Sequence, residues 1–384
     1  MREYWLWFAT LQGLSLRQKH KLLQVFSSPE DIYSLCDEEI FKVLTKEKVT
    51  LNRDFTEAEK ILRACISKGV DILPFSDKQY PARLKEISDA PIVLYYKGNL
   101  PDFEESPLIS VVGTRKSTPY GNNCACKISE EITACGGIVV SGGAEGVDTH
   151  ALQGALSAGG TPIAVLGCGV DIIYPPSNRR LFGQISRSGC LISEYPPGVK
   201  PNFWQFPARN RIVSGITNGV VVIEAPEKSG ALITAQMALD QGRDVYVVPG
   251  NIDVLTNVGS NRLLQQGACP VVCGWDVVSN YADAYKNVTE NLPQEKKNIP
   301  HKEEPTKKVI DNSPAKPYHF LNDGASDLSD EESRLLSCLT REPRAVDEVI
   351  AQMGLPAPTV LGMLTNLSLR GIVINHSGRR VSVK

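Results

Sequence analysis

The chain is predicted to be an α/β protein: an extended Rossmann-like parallel sheet core, with a small helical N-terminal domain and a C-terminal winged helix-turn-helix. Three observations predict it. Between about residues 90 and 280, continuous Val/Ile runs alternate with helical stretches, which is the pattern of strands buried on both faces and joined by right-handed crossovers. Before that, apolar residues recur at helical spacing without any Val/Ile-rich run. After residue 325, three short amphipathic segments are followed by a hairpin pattern.

In order along the chain, residues 1–75 form the helical module, marked by Leu11, Leu14, Leu22, Leu23 and Phe26, then Ile32 and Leu35, then Ala58, Ile61, Leu62 and Cys65. Its segment LQGLSLRQKHKLL resembles a helix-hairpin-helix, in which a Gly-apolar-Gly turn offers N–H groups to a phosphate. Ser15 stands where the second Gly belongs, and a packing role is the reading favoured. The core spans residues 76–283, with strands at PIVLYY, LISVVG, GIVVSG, PIAVLG, CLISEY, GVVVIEA and DVYVVPG. Residues 284–325, rich in Lys, Glu, Asn and Pro, read as a flexible linker. In residues 326–384, Ser329 and Glu332 are placed to form a capping box and Ser377-Gly378 to turn a hairpin. Acids and bases balance there, and the expected recognition helix has no base before Arg370. A protein contact is as well supported as duplex reading.

Composition narrows the chemistry. A net charge of -2 excludes a globally basic nucleic-acid coat and leaves room for a local basic cleft. No apolar run approaches a membrane span and the N-terminus makes a poor signal peptide, so a cytoplasmic protein is expected. The 10 cysteines lack paired CxxC spacing and the 5 histidines form no HExxH. Reduced, buried thiols, no metal and no cofactor are therefore expected.

The chemistry-bearing residues sit in turns after the strands. Gly113, Thr114, Arg115, Lys116 and Ser117 follow one strand and precede a helix, making an anion site that is neither GxGxxG nor a P-loop. Gly142, Gly143 and Gly146 crowd the next such turn, more glycine than packing alone suggests, with Asp148 as a helix N-cap. Lys200, Phe203, Arg209, Asn210 and Arg211 interleave basic and aromatic side chains, as in proteins that stack unpaired bases and neutralise their backbone. Phe203 is the stacking candidate and Phe206 is as consistent with the core. Lys228, Ser229 and Gly230 open another helix, while Gly250 and the Gly259-Ser260-Asn261 turn add polar positions. So many turns suited to phosphate exceed the need of one mononucleotide and fit a polynucleotide.

These residues carry a resemblance. GTR (113–115), SGxAxGVD (141–148), VLGxGxDxIYPPxNRxLF (165–182), ISEYPPG (192–198), FPARNRIVSG (206–215), EAPEKSGALITA (224–235), VVPG (247–250) and GSNRLLxxGA (259–268) stand in the order found in the DNA-processing protein A (DprA/Smf) family, which the chain closely resembles. The resemblance implies a non-enzymatic, dimeric protein that binds single-stranded DNA and helps load the RecA recombinase during natural transformation. It implies that Gly113, Thr114, Arg115 and Ser117 cradle one phosphate. Lys200, Arg209, Asn210, Arg211, Lys228 and the turn at residues 259–261 would line the strand's path. The sequence departs from the family pattern at Glu145, where a basic residue is usual, and at Leu152, where a His is usual; His150 stands two residues earlier. The rival reading is a nucleotide N-glycosidase similar to the phosphoribohydrolases. It is disfavoured because EKSGALITAQ lacks the Glu those enzymes carry in the first helical turn.

Overall fold

The computed structural model describes residues 2–44, 51–290, 330–340, 344–369, 372–376 and 380–383. Two units divide the chain, Met1–Pro300 and His301–Lys384. The expected linker beyond residue 290, the Ser329 cap and the Ser377-Gly378 turn lie outside the described residues.

The first unit is built on a nine-stranded sheet: β1 (Asp71–Pro74), β2 (Val93–Gly98), β3 (Leu108–Val112), β4 (Ile138–Ser141), β5 (Ile163–Leu166), β6 (Cys190–Ser193), β7 (Gly219–Val222), β8 (Asp244–Val247) and β9 (Cys269–Pro270). The spatial order is β1-β2-β6-β5-β4-β3-β7-β8-β9. From β6 to β9 every pairing is parallel, whereas β2 runs antiparallel to both β1 and β6. The seven Val/Ile runs are strands β2 to β8. Neither β1 nor β9 was expected from the sequence, because each is short and contains a proline, which is tolerated at a sheet edge.

Alternation along the strands sends side chains to two cores. Leu108 and Val112 of β3, with Val220 and Val222 of β7, face one side; Ile109, Val111, Val221 and Ile223 face the other. The first face is covered by α10 (Gln205–Gly215) and α11 (Gly230–Asp240), the second by α7 (Pro119–Ala134) and α8 (Val147–Ser157). Helices α1 to α6 precede these (Arg2–Thr10, Leu16–Val25, Pro29–Ser34, Asp37–Leu44, Thr56–Lys68 and Ala82–Lys85), α9 (Arg179–Ser188) lies between α8 and α10, and α12 (Val258–Gln265), α13 (Gly274–Val278) and α14 (Lys286–Glu290) follow α11.

The helical module has no core of its own. Trp5, Leu6, Trp7 and Phe8 of α1 share one cluster with Ile72, Val93, Leu166 and Phe182 of the sheet and α9. Burying each such side chain stabilises by about 1.5–3 kcal/mol, which welds module to sheet. The expected boundary at residue 75 therefore falls after the first strand, and Tyr285 and Val288 carry the core past residue 283. Ser15 is the N-cap of α2 and forms a capping box with Gln18 (2.9 and 3.3 Å). Its hydroxyl thus serves the helix end. Two cysteines, Cys36 and Cys269, are exposed, contrary to the expectation of buried thiols.

Lys19 of α2 is buried and donates through Nζ to the Ala9 carbonyl at the end of α1 (2.7 Å). Burial pushes its ammonium down from the ordinary 10.5 to about 8, against a weaker upward pull from Glu194. Between these values the unfolded chain holds a proton that the fold has released, so this residue makes stability rise with pH across that window. Lys19→Met is expected to lose that rise, which urea unfolding of both proteins at about pH 7 and about pH 10 would measure.

In the second unit, α15 (Asp330–Ser337), α16 (Val346–Met353) and α17 (Ala357–Leu369) pack through Leu335, Val349, Val360 and Leu367 on a small sheet of order β10-β12-β11. Its strands are β10 (Arg344–Ala345), β11 (Val373–His376) and β12 (Arg380–Val383). The two-residue β10 completes the winged helix and is too short to leave a periodic signal. Helix α17 contains no charged residue. No helix among the described residues is long and apolar enough to cross a membrane.

Candidate nucleic-acid interface

Strand β3 is the point where the sheet order reverses, with β4 on one side and β7 on the other. In open α/β sheets the carboxyl ends of the strands flanking such a switch leave a crevice. Here it opens into a cleft of about 620 Å³ walled by the turns after β3 and β7 and by residues 201–210. Gly113, Thr114 and Arg115 line it from the first turn, Gly142 from below, Phe203, Arg209 and Asn210 from the third wall, and Lys228, Ser229 and Gly230 from the second. Arg115, Lys116 and Lys228 are exposed, and none forms an ion pair among the described residues. At the rim Phe203 is 84% exposed and Trp204 52%.

The N-terminus of α7 is not the open anion site expected from the sequence. Glu224, fully buried after β7, accepts from the Thr118 amide (2.8 Å) and hydroxyl (2.6 Å). The Thr118 hydroxyl accepts from the Gly121 amide (3.1 Å), the Thr114 amide donates to the Glu224 carbonyl (2.7 Å), and the Lys116 amide to the Thr114 hydroxyl (3.2 Å). The protein's own carboxylate thus takes the place beside the helix end that a phosphate takes in nucleotide-binding sheets. The sequence signal is the Glu at the end of GVVVIE, and a strand-end acid carries no local mark of the partner it meets.

The glycines also have packing reasons, contrary to the expectation. A Cβ at Gly146 would lie 2.4 Å from the Thr114 carbonyl oxygen, and its φ of +78° is left-handed. At Gly142 a Cβ would meet Arg209 at 2.6 Å and Asp148 at 2.7 Å, and at Gly113 it would meet Val147 at 2.5 Å. Gly230 differs: nothing lies within 4 Å of its missing side chain.

Arg209 forms the floor. Its guanidinium is buried and donates to the Gly142 and Val165 carbonyls, joining the turn after β4 to strand β5. Burial pushes the Asp148 carboxyl up, while Arg209 and the Ala144 amide pull it down; burial lowers Arg209 in turn. Asp148 is not the cap of α8, since Gly146 holds that position and the Asp148 side chain accepts from Ala144 (3.3 Å). Glu145 accepts from Ser177 (2.8 Å), and His150 lies half-buried on α8, where burial lowers its pKa.

The remaining expected residues do not line the cleft. Arg211, placed by the resemblance on the strand path, is buried and ion-paired to Glu194 (2.8 Å) and Asp89 (3.1 Å). Gly259 and Ser260 donate their amides to the Ala225 carbonyl (2.8 and 3.0 Å), and Asn261 exchanges hydrogen bonds with Gly250 (3.2 and 3.0 Å). Ser117 donates to Asn122 (2.5 Å), Gly143 borders a separate small recess, and Lys200 is exposed outside the lining. Two aromatics that the sequence reading did not place in the cleft belong to it: Phe206, which lies half-buried, and Tyr174.

A family model described as DNA recombination-mediator protein A matches residues 71–282, and one described as DprA winged helix domain matches residues 322–379. Protein Smf of Synechocystis sp. is 34% identical over 391 residues, covering 98% of this chain and 97% of that one. The crystal structure of DNA processing protein A from Streptococcus pneumoniae is similar with a TM-score of 0.63 and 36% identity, over 73% of this chain and 98% of that one. A structure of the Helicobacter pylori protein, described for its single-stranded DNA binding mode, matches with a TM-score of 0.51 and 28% identity over 56% of this chain and 97% of that one. The match spans the sheet, the cleft and the winged helix together, and the chain belongs to the DNA recombination-mediator protein A (DprA/Smf) family.

Proposed function

We propose that this recombination mediator holds single-stranded DNA across the cleft at the β3/β7 switch point. The observation that carries the reading is the set of exposed cations on opposite walls, Arg115 and Lys116 against Lys228, beside the exposed rings of Phe203 and Trp204. Unpaired bases stack on such rings for about 1–3 kcal/mol each, and the cations neutralise the backbone without reading sequence. Gly230 supports it, because its bareness answers to no neighbour and lets a phosphate approach the backbone at α11. In this reading Arg115, Lys228, Ser229, Gly230, Asn210 and Phe203 meet the strand. Gly113, Gly142, Gly146 and Arg209 build the frame.

The N-glycosidase alternative needs a carboxylate free to act at a sugar. Asp148 and Glu224 are tied into the frame by Ala144 and Thr118. The finer role, taken from the family, is protection of incoming DNA and loading of RecA in natural transformation by a cytoplasmic homodimer. The uncharged α17 favours a protein partner for the winged helix over a duplex. Fluorescence anisotropy of labelled oligonucleotides tests the reading: single strands are expected to bind at least about tenfold more tightly than the matching duplex at equal salt. Equal binding of both would refute it.

A further inference from the structure

Arg115 is an exposed side chain on a turn, where a free arginine would sample many rotamers and lose them on binding. Its surroundings restrict it. The guanidinium carbon lies over the ring of Phe206, 5.1 Å from the centroid. That ring is stacked on Tyr174 with centroids 5.4 Å apart and an interplanar angle of 28°. It also presses on the backbone at Gly167, where a Cβ would come within 2.9 Å of Phe206 Cδ1. The platform under Arg115 is therefore itself held, by a second ring and by a residue that must be bare.

Resting on the single-strand reading of this cleft, we propose that Phe206, backed by Tyr174, is a positioning residue for Arg115. The ring face holds the cation where the phosphate will arrive, so little side-chain freedom is left to lose when DNA binds. Phe206 then acts through Arg115 and not by stacking a base of its own.

A double-mutant cycle on the full chain tests this, with anisotropy of labelled oligothymidine as the readout at fixed salt. Phe206→Met, which fills the volume but removes the π face, is expected to weaken binding roughly three- to tenfold, while Phe206→Tyr stays within about twofold of the wild type. In an Arg115→Ala background Phe206→Met is expected to have no further effect. An equal loss in both backgrounds would mean that the ring meets DNA directly and would overturn the proposal, as would wild-type binding by Phe206→Met. Thermal melting of each protein checks the fold. Should Phe206→Met fail to fold, Tyr174→Leu tests the same coupling, its effect again vanishing without Arg115. If the wild type itself does not bind oligothymidine, the single-strand reading fails and this proposal with it, an outcome separate from any result of the cycle.

Discussion

Replacing Arg115 and Lys228 together by alanine is expected to flatten the salt dependence of single-strand binding by about 1.4 in the slope of log K against log salt, roughly 0.7 for each lost phosphate contact. The side chains reach the cleft from the turns after β3 and β7, and neither forms an ion pair among the described residues. Their charge is thus available to displace counterions. At roughly 0.1 M salt the two losses amount to about 25-fold in affinity, shrinking as salt rises. The loss should be equal for every oligonucleotide sequence, since phosphates carry no sequence information. Titrations at four or more salt concentrations measure it. An unchanged slope would remove both residues from the strand's path.

Arg211→Ala is expected to do the opposite, unsettling the fold and sparing the affinity. Its guanidinium bridges Glu194 and Asp89 from a buried position. Removing one member of a buried charge cluster costs about 3–5 kcal/mol. Glu194 and Asp89 keep 21% and 43% of their side-chain exposure, so solvent screening brings the cost below that range, to about 2–3 kcal/mol. Denaturant unfolding would show the midpoint falling, and the folded protein should bind single strands like the wild type. A stable variant that has lost affinity would return Arg211 to the DNA path.

The contrast between these two arginines shows what the sequence could tell and what it could not. In FPARNR the residues Arg209 and Arg211 look alike, both basic and close to aromatics. Two residues along α10, about 200° of rotation, decide their fates: Arg209 reaches under the cleft to the Gly142 and Val165 carbonyls, and Arg211 turns to Glu194. Partners that lie far along the chain leave no local signal. The same holds for Glu224, whose two hydrogen bonds reach Thr118 across the sheet. Strands β2 to β8 were legible because burial on both faces forces a continuous apolar run. The antiparallel course of β2 was not, since PIVLYY carries no mark of direction. The cleft was legible as a place, from turns that recur beyond strand ends, while the glycines in those turns were read as ligand contacts when most serve loop-on-loop packing.

If the cleft holds a strand as proposed, the Glu224 carboxylate beside the end of α7 has a consequence for how that strand leaves. A phosphate seated in a helix end is shielded from ions and water, and its departure must break several amide contacts at once. At α7 that seat is filled by the chain itself, which leaves the end of α11 and cations on exposed stems to meet the backbone. Such contacts can be surrendered one nucleotide at a time, each replaced by an ion from solution. Exchange of the strand for a successor then needs no opening of the domain, only competition along its length.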